Sequence, residues 1–137
     1  MTNNHSLLSP ELLRVCDANL NRLREGLRVI EDIMRYYENN KAFASQLKTL
    51  RHKTKTSNFK ELLQNRDSIN DVLRPSTNSE QNRTDLESII IANFKRAQES
   101  ARVLEEMYKL EDAVMSETFK TIRYELYNLE KEILLSE

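Results

Sequence analysis

Ala18-Asn19-Leu20-Asn21-Arg22-Leu23-Arg24-Glu25-Gly26-Leu27-Arg28-Val29-Ile30-Glu31 is answered, 74 residues on, by Ala92-Asn93-Phe94-Lys95-Arg96-Ala97-Gln98-Glu99-Ser100-Ala101-Arg102-Val103-Leu104-Glu105. Between residues 18–36 and 92–110, seven of 19 aligned positions are identical, and most of those kept are Asn, Arg or Glu. A repeat that served packing alone would hold its apolar residues and let the polar ones drift, so the pattern points to a duplicated binding surface. The apolar residues around it decide the fold. Leu13, Cys16, Leu20, Leu23, Leu27, Ile30, Met34 and Tyr37 follow alternating spacings of three and four, which predicts one long helix with a single buried seam. Ile90, Phe94, Ala97, Ala101, Leu104 and Tyr108 write the same seam into the second copy.

Ser9-Pro10-Glu11 predicts the start of the first long helix, and Thr84-x-x-Glu87 reads as a capping box opening the second. A weaker echo links Leu47-Lys48-Thr49-Leu50-Arg51-His52 to Phe119-Lys120-Thr121-Ile122-Arg123-Tyr124, offset by 72 residues. Each half therefore reads as a helical hairpin. The second return helix runs on through Leu126, Leu129, Ile133 and Leu134, and the first, less regular, reaches about Leu63. The expected organisation is a fraying leader over 1–8 and a single helical domain over 9–137, made of half one (9–65), a polar connector (66–83) and half two (84–136). The fold class that follows is all-α, a pseudo-twofold four-helix bundle built from two repeated hairpins.

Composition agrees. Among 137 residues there are one Gly, two Pro and 31% charged side chains, which suits helices and leaves too few turn residues for a sheet. A net charge of −1 gives no case for nucleic-acid binding. No apolar run approaches a spanning helix and the first residues lack the features of a signal peptide, so no membrane partner and a cytoplasmic location are expected. Cys16, the only cysteine, reads as a packed, reduced thiol. Charge is uneven along the chain: residues 41–66 hold seven Lys/Arg against Glu61 alone, whereas 111–137 hold seven acids against three bases. A small anionic ligand would suit the basic stretch. Tyr36, Tyr37, Tyr124 and Tyr127 leave room for a homodimer.

Beside each seam runs a second stripe: Val15, Asn19, Arg22, Gly26, Val29 and Ile33, matched by Ile89, Asn93, Arg96, Ser100, Val103 and Met107. If the long helices face each other, Arg22 and Arg96 converge with Asn19 and Asn93 beside them, and two guanidinium groups so placed suit a phosphate or carboxylate. Glu25 and Glu99 precede Arg28 and Arg102 by three residues, and Glu31 and Glu105 follow by three. At that spacing they are either surface ion pairs worth about 0.2–0.5 kcal/mol each, or holders of the arginines or of Mg2+. In the connector, Arg66, Asp67 and Asp71 offer either a Mg2+ and phosphate site or a helix cap and a solvated loop. His52, beside Arg51, reads as a surface residue rather than a base. The chain has no P-loop and no Gly-rich phosphate cradle.

Four motifs in order, Asp17-Ala-Asn-Leu-Asn-Arg-Leu-Arg-Glu-Gly-Leu-Arg-Val-Ile-Glu-Asp32, Leu50-Arg-His52, Arg66-Asp-x-x-x-Asp-Val72 and Ala92-Asn-x-Lys-Arg-x-Gln-Glu-x-x-Arg-Val-Leu-Glu-Glu106, make the chain resemble the small helical hydroxymethylpyrimidine-phosphate kinases over about residues 11–132. That family often forms the N-terminal domain of fused thiamine-phosphate synthases. The resemblance implies ATP-dependent phosphorylation of 4-amino-5-hydroxymethyl-2-methylpyrimidine phosphate, with Mg2+, in thiamine biosynthesis. It also implies that the barrel which joins pyrimidine to thiazole in fused members is no part of this chain. The family's recurrent polar positions fall on Asn19, Arg22, Glu25, Arg28, Glu31, Arg51, His52, Arg66, Asp67, Asp71, Asn93, Arg96, Glu99, Arg102 and Glu105. Its connector often reads Asp-Val-Gly, where this chain has Leu73, which puts the backbone of that turn in question. Two other readings stand beside it: a non-catalytic helical module whose Arg and Glu residues bridge to a partner, and a cofactor-free helical enzyme of the chorismate-mutase type.

Overall fold

The computed structural model describes residues 8–77 and 83–136. Within them lie α1 (Pro10–Asp32), a π-helical turn (Ile33–Tyr37), α2 (Lys41–His52), the short α3 (Phe59–Gln64), α4 (Leu86–Tyr108) and α5 (Ala113–Leu135), with no strand among the described residues. The chain is all-α, as its composition requires. Residues 1–7 of the expected leader and 78–82 of the connector lie outside the described residues.

Local chemistry sets the helix starts. Ser9 accepts the N–H of Leu12 at 3.2 Å, with Pro10 in the first turn where its missing N–H is harmless. The start of α4 falls one residue beyond the expected Thr84 and Glu87 pair. Asp85 accepts the N–H of Ser88 at 2.7 Å and Ser88 Oγ takes the N–H of Asp85 at 3.2 Å, because a carboxylate outranks a threonine hydroxyl as an N-terminal acceptor.

The four longer helices form a ring. α1 packs most extensively on α4, α4 on α5 and α1 on α2, while a light contact of α2 with α5 closes the bundle. The long helices run oppositely: Cys16 lies beside Tyr108, whereas ten residues on, Gly26 lies against Asn93 and Ala97. Both seams are buried through Met34 and Tyr108. Tyr37 is the exception, 70% exposed, because the wider π-turn takes an extra residue per turn and rotates it off the seam. Leu8, assigned to the fraying leader, instead joins the core. The first return helix also differs from expectation. It stops at His52, where buried Thr54 donates to the Arg51 carbonyl at 2.6 Å, and resumes as α3.

Candidate functional site

Much of the repeated polar phrase holds the bundle together. Glu31, buried on α1, accepts from Arg51 of α2 at 2.7 and 3.3 Å; Glu105 of α4 accepts from Arg123 of α5 at 2.8 and 3.0 Å. The two sequence echoes are therefore one device, a Glu on each long helix gripping an Arg on its return helix. Hydrogen bonding to Glu31 holds Arg51 more firmly protonated than usual, as Tyr127 and then Glu105 do for Arg123. Arg28 and Arg102 add weaker ion pairs from the surface, 3.9 and 3.6 Å from the same glutamates. Asn19 and Asn93 turn their amide N–H groups onto their own helices, donating to the carbonyls of Val15 and Ile89 at 2.8 Å each.

What remains of the phrase makes no hydrogen bond or ion pair in the fold among the described residues: Arg22, Glu25, Arg96 and Glu99 are all exposed. Their level in the bundle follows from the antiparallel crossing. With Gly26 set against Asn93 and Ala97, Arg22 and Arg96 lie within about 5 Å of one another along the helix axes, at 1.5 Å per residue. Glu25 and Glu99 share that level. The quartet marks the middle of the α1–α4 pair, where the axis relating the two halves crosses it. Four unpaired charges of alternating sign there make an amphoteric patch able to bind an anion and orient it.

The connector reaches this patch from one side only. Arg66 makes a bidentate bond to Asp17, at 2.7 and 2.8 Å, and lies close enough to Glu25 for that carboxylate to help keep it protonated after Asp17 has done most. Asp17 is 5% exposed, and its repeat counterpart is Ile91, so half two has no such anchor. Asp67 accepts from the backbone and side chain of Asn70 at 2.9–3.1 Å, which holds its carboxyl below the usual range. Asp71 Oδ1 accepts the N–H of Leu73 at 2.9 Å. Both thus shape turns of the connector rather than capping a helix, and no three His, Cys, Asp or Glu side chains converge among the described residues. Leu73 has no left-handed backbone, since Asn39 alone has positive φ among the described non-glycine residues, so this turn does not require the family's Gly. His52 is exposed, and Arg51 is committed to Glu31.

Sequence reasoning gave no part to Asp17 or Arg123. The signals existed: Asp17 is a charge where the repeat has Ile91, and Arg123 completes the weaker echo.

Comparison with known proteins places the chain. Residues 14–132 match the ThiD2 family, and the chain belongs to it. Its relatives include thiamine-phosphate synthases from Thermosynechococcus vestitus (40% identical over 129 residues, 91% of this chain and 36% of that protein), Synechocystis sp. (40% over 124 residues, 90% and 36%) and Rhodopirellula baltica (38% over 132 residues, 93% and 35%). The chain spans about a third of the length of these curated relatives. No solved structure matches it. Among the described residues no helix is long and apolar enough to cross a membrane.

Proposed function

We propose that the chain is a hydroxymethylpyrimidine-phosphate kinase of thiamine biosynthesis. One observation carries the reading: four charged residues kept in both halves, Arg22, Glu25, Arg96 and Glu99, are exposed and make no hydrogen bond or ion pair among the described residues. In the reaction, an oxygen of the substrate's phosphate forms a bond to the γ-phosphorus of ATP as the bond to the bridging oxygen breaks, releasing ADP. The accepting phosphomonoester is ionised near neutral pH, so the step needs positioning and charge neutralisation rather than a strong base. Arg22 and Arg96 would bind the phosphates, and one of Glu25 or Glu99 would orient the accepting phosphate. Asn19, Asn93, Arg28 and Arg102 border the same stripe, and Arg66 brings the connector to it. Asp71, whose second carboxylate oxygen is unengaged, and Asp67 have the oxygen donors that suit Mg2+. The metal, when bound, supplies neutralisation of phosphate charge.

A coupled ADP-release assay with the purified chain, Mg·ATP and hydroxymethylpyrimidine phosphate tests this. Removing one preorganised charge-stabilising donor costs about 10²–10³ in kcat, so Arg22→Ala and Arg96→Ala should each lose that much while circular dichroism stays unchanged. Absence of both ADP release and ATP binding in the parent protein would overturn the kinase and favour a helical interaction module.

A further inference from the structure

The basic excess of residues 41–66 is only partly used by the fold. Arg51 is engaged by Glu31, Lys53 by Glu125 at 3.3 Å and Arg66 by Asp17. Lys41 and Lys48, two turns apart on one face of α2, have no ion-pair partner among the described residues. Together with Arg35 of the π-turn they border a cavity of about 310 Å3 between the end of α1 and the start of α2. Arg35 lies over the Tyr36 ring at 4.9 Å and also lacks an ion pair. Glu31 is the one acid in the lining, and both its oxygens are already held by Arg51. Three cations there are uncompensated.

Backbone geometry opens this space. Two residues past the π-turn comes Asn39, whose φ of 53° turns the chain sharply, and Asn40 then caps α2. The Asn40 side chain takes the Phe43 N–H and its carbonyl takes that of Ala44, each at 3.0 Å, so the N–H groups of Lys41 and Ala42 have no acceptor in this cap. Half two keeps only one unpaired cation at the equivalent place among the described residues, Lys120 for Lys48. Ser116, the counterpart of Ala44, donates to the Glu105 carbonyl at 2.8 Å; Ala113 stands for Lys41; and Lys109, the counterpart of Arg35, is bound to Glu106 at 2.7 Å.

The cavity is separate from the quartet. Glu31 follows Arg22 by nine residues, which is half a turn away around the helix and about 13 Å along it. We infer that this cavity is a second anion site, peculiar to half one, for a small molecule bearing a phosphate or diphosphate group. Its volume lies at the lower end of the range for small-molecule pockets, about 300–1,000 Å3, which suits a phosphorylated metabolite rather than a polymer. The inference is independent of the kinase reading.

Titration calorimetry and thermal unfolding with inorganic diphosphate, and with inorganic phosphate in parallel, test it on the parent chain, on Lys41→Ala/Lys48→Ala and on Arg22→Ala/Arg96→Ala. The lysine variant should bind diphosphate at least tenfold more weakly and lose the rise in Tm, whereas the arginine variant should keep a binding event within twofold of the parent's. Tighter binding of diphosphate than of phosphate would indicate that all three cations share one ligand. The substituted lysines are exposed, and circular dichroism confirms that the helices persist. Parent-like diphosphate binding by the lysine variant, or no binding to the parent at millimolar concentration, would overturn the site. A failed kinase assay would leave this result untouched.

Discussion

Half one and half two share a skeleton and a repeated set of polar residues, and differ in what surrounds them. Each hairpin is fastened by the same buried Glu–Arg grip, Glu31 to Arg51 and Glu105 to Arg123. Around it the halves diverge. Half two returns in one 23-residue helix, whereas half one breaks its return into pieces of 12 and six residues after a π-turn. Asp17 faces Ile91 across the repeat, Cys16 faces Ile90, Gly26 faces Ser100 and Ala44 faces Ser116. Half two spends these positions on packing and closure. Half one spends them on an anchored connector, a close helix approach and an open cationic cavity. The difference teaches that the duplicated residues divide into those that must stay for the bundle to close and those that stay although the bundle ignores them.

The largest effect should come from breaking the shared grip. Arg51 and Arg123 are 13% and 11% exposed in the intact protein, and Glu31→Ala and Glu105→Ala each take away the carboxylate that pairs with one of them. Removing one partner of a buried pair costs about 3–5 kcal/mol, and because both guanidinium groups keep some access to water the lower figure is expected for each. Urea unfolding measures it. Two losses within about 0.5 kcal/mol of each other would confirm equivalent devices, that margin being the usual scatter of independent substitutions. Losses below about 1 kcal/mol, the range of exposed ion pairs, would show that the grip is incidental.

Next comes a pH effect centred on Cys16 of α1, where it meets Tyr108 of α4. Burial pushes the Cys16 thiol from its ordinary 9.0 up to about 11. Between those values the unfolded chain releases a proton that the folded chain still holds. Stability is therefore complete below pH 9 and falls as pH rises toward 11, by about 2–3 kcal/mol at 1.36 kcal/mol per unit. Burial also raises the neighbouring Tyr108 phenol, which adds in the same direction. Cys16→Ala should lose about 1 kcal/mol at pH 7 through the small cavity it leaves, and should flatten the alkaline slope in urea midpoints taken between pH 8 and 10.5. An unchanged slope would assign it wholly to other groups.

The long helices, 23 residues each, were legible in the sequence because their unbroken three-four spacing admits one reading. Where the period itself changes, the sequence misleads: Tyr37 continues the pattern in the letters, and the π-turn turns it outward. The end of α2 was unread because neither Gly nor Pro marks it. The site was half legible. Repetition picks out Glu31 and Glu25 alike, since both are Glu kept in both copies, and only packing against Arg51 separates the buried one from the exposed one. Asp17 and Arg66, 49 residues apart, meet through a connector that carries no period at all.

The subtlest test exchanges one residue between the halves. Gly26 lies against α4: a Cβ added there would sit 3.0 Å from the Asn93 carbonyl oxygen and 3.4 Å from the Ala97 Cβ. The nearer atom is helical backbone, which cannot swing aside as the tip of a side chain could. Ser100, the counterpart, is buried and keeps its side chain. Gly26→Ser would gain about 0.5 kcal/mol in helix propensity. It would lose about 1–3 kcal/mol to overpacking, since α4 must move as a body to make room. Packing should win, leaving a net loss of about 1 kcal/mol in urea unfolding, whereas Ser100→Gly should lose only the propensity, about 0.5 kcal/mol. A stabilised Gly26→Ser protein would show that the two long helices can separate at their crossing without cost. The level of Arg22 against Arg96 would then be set by the connector and the return helices rather than by this contact.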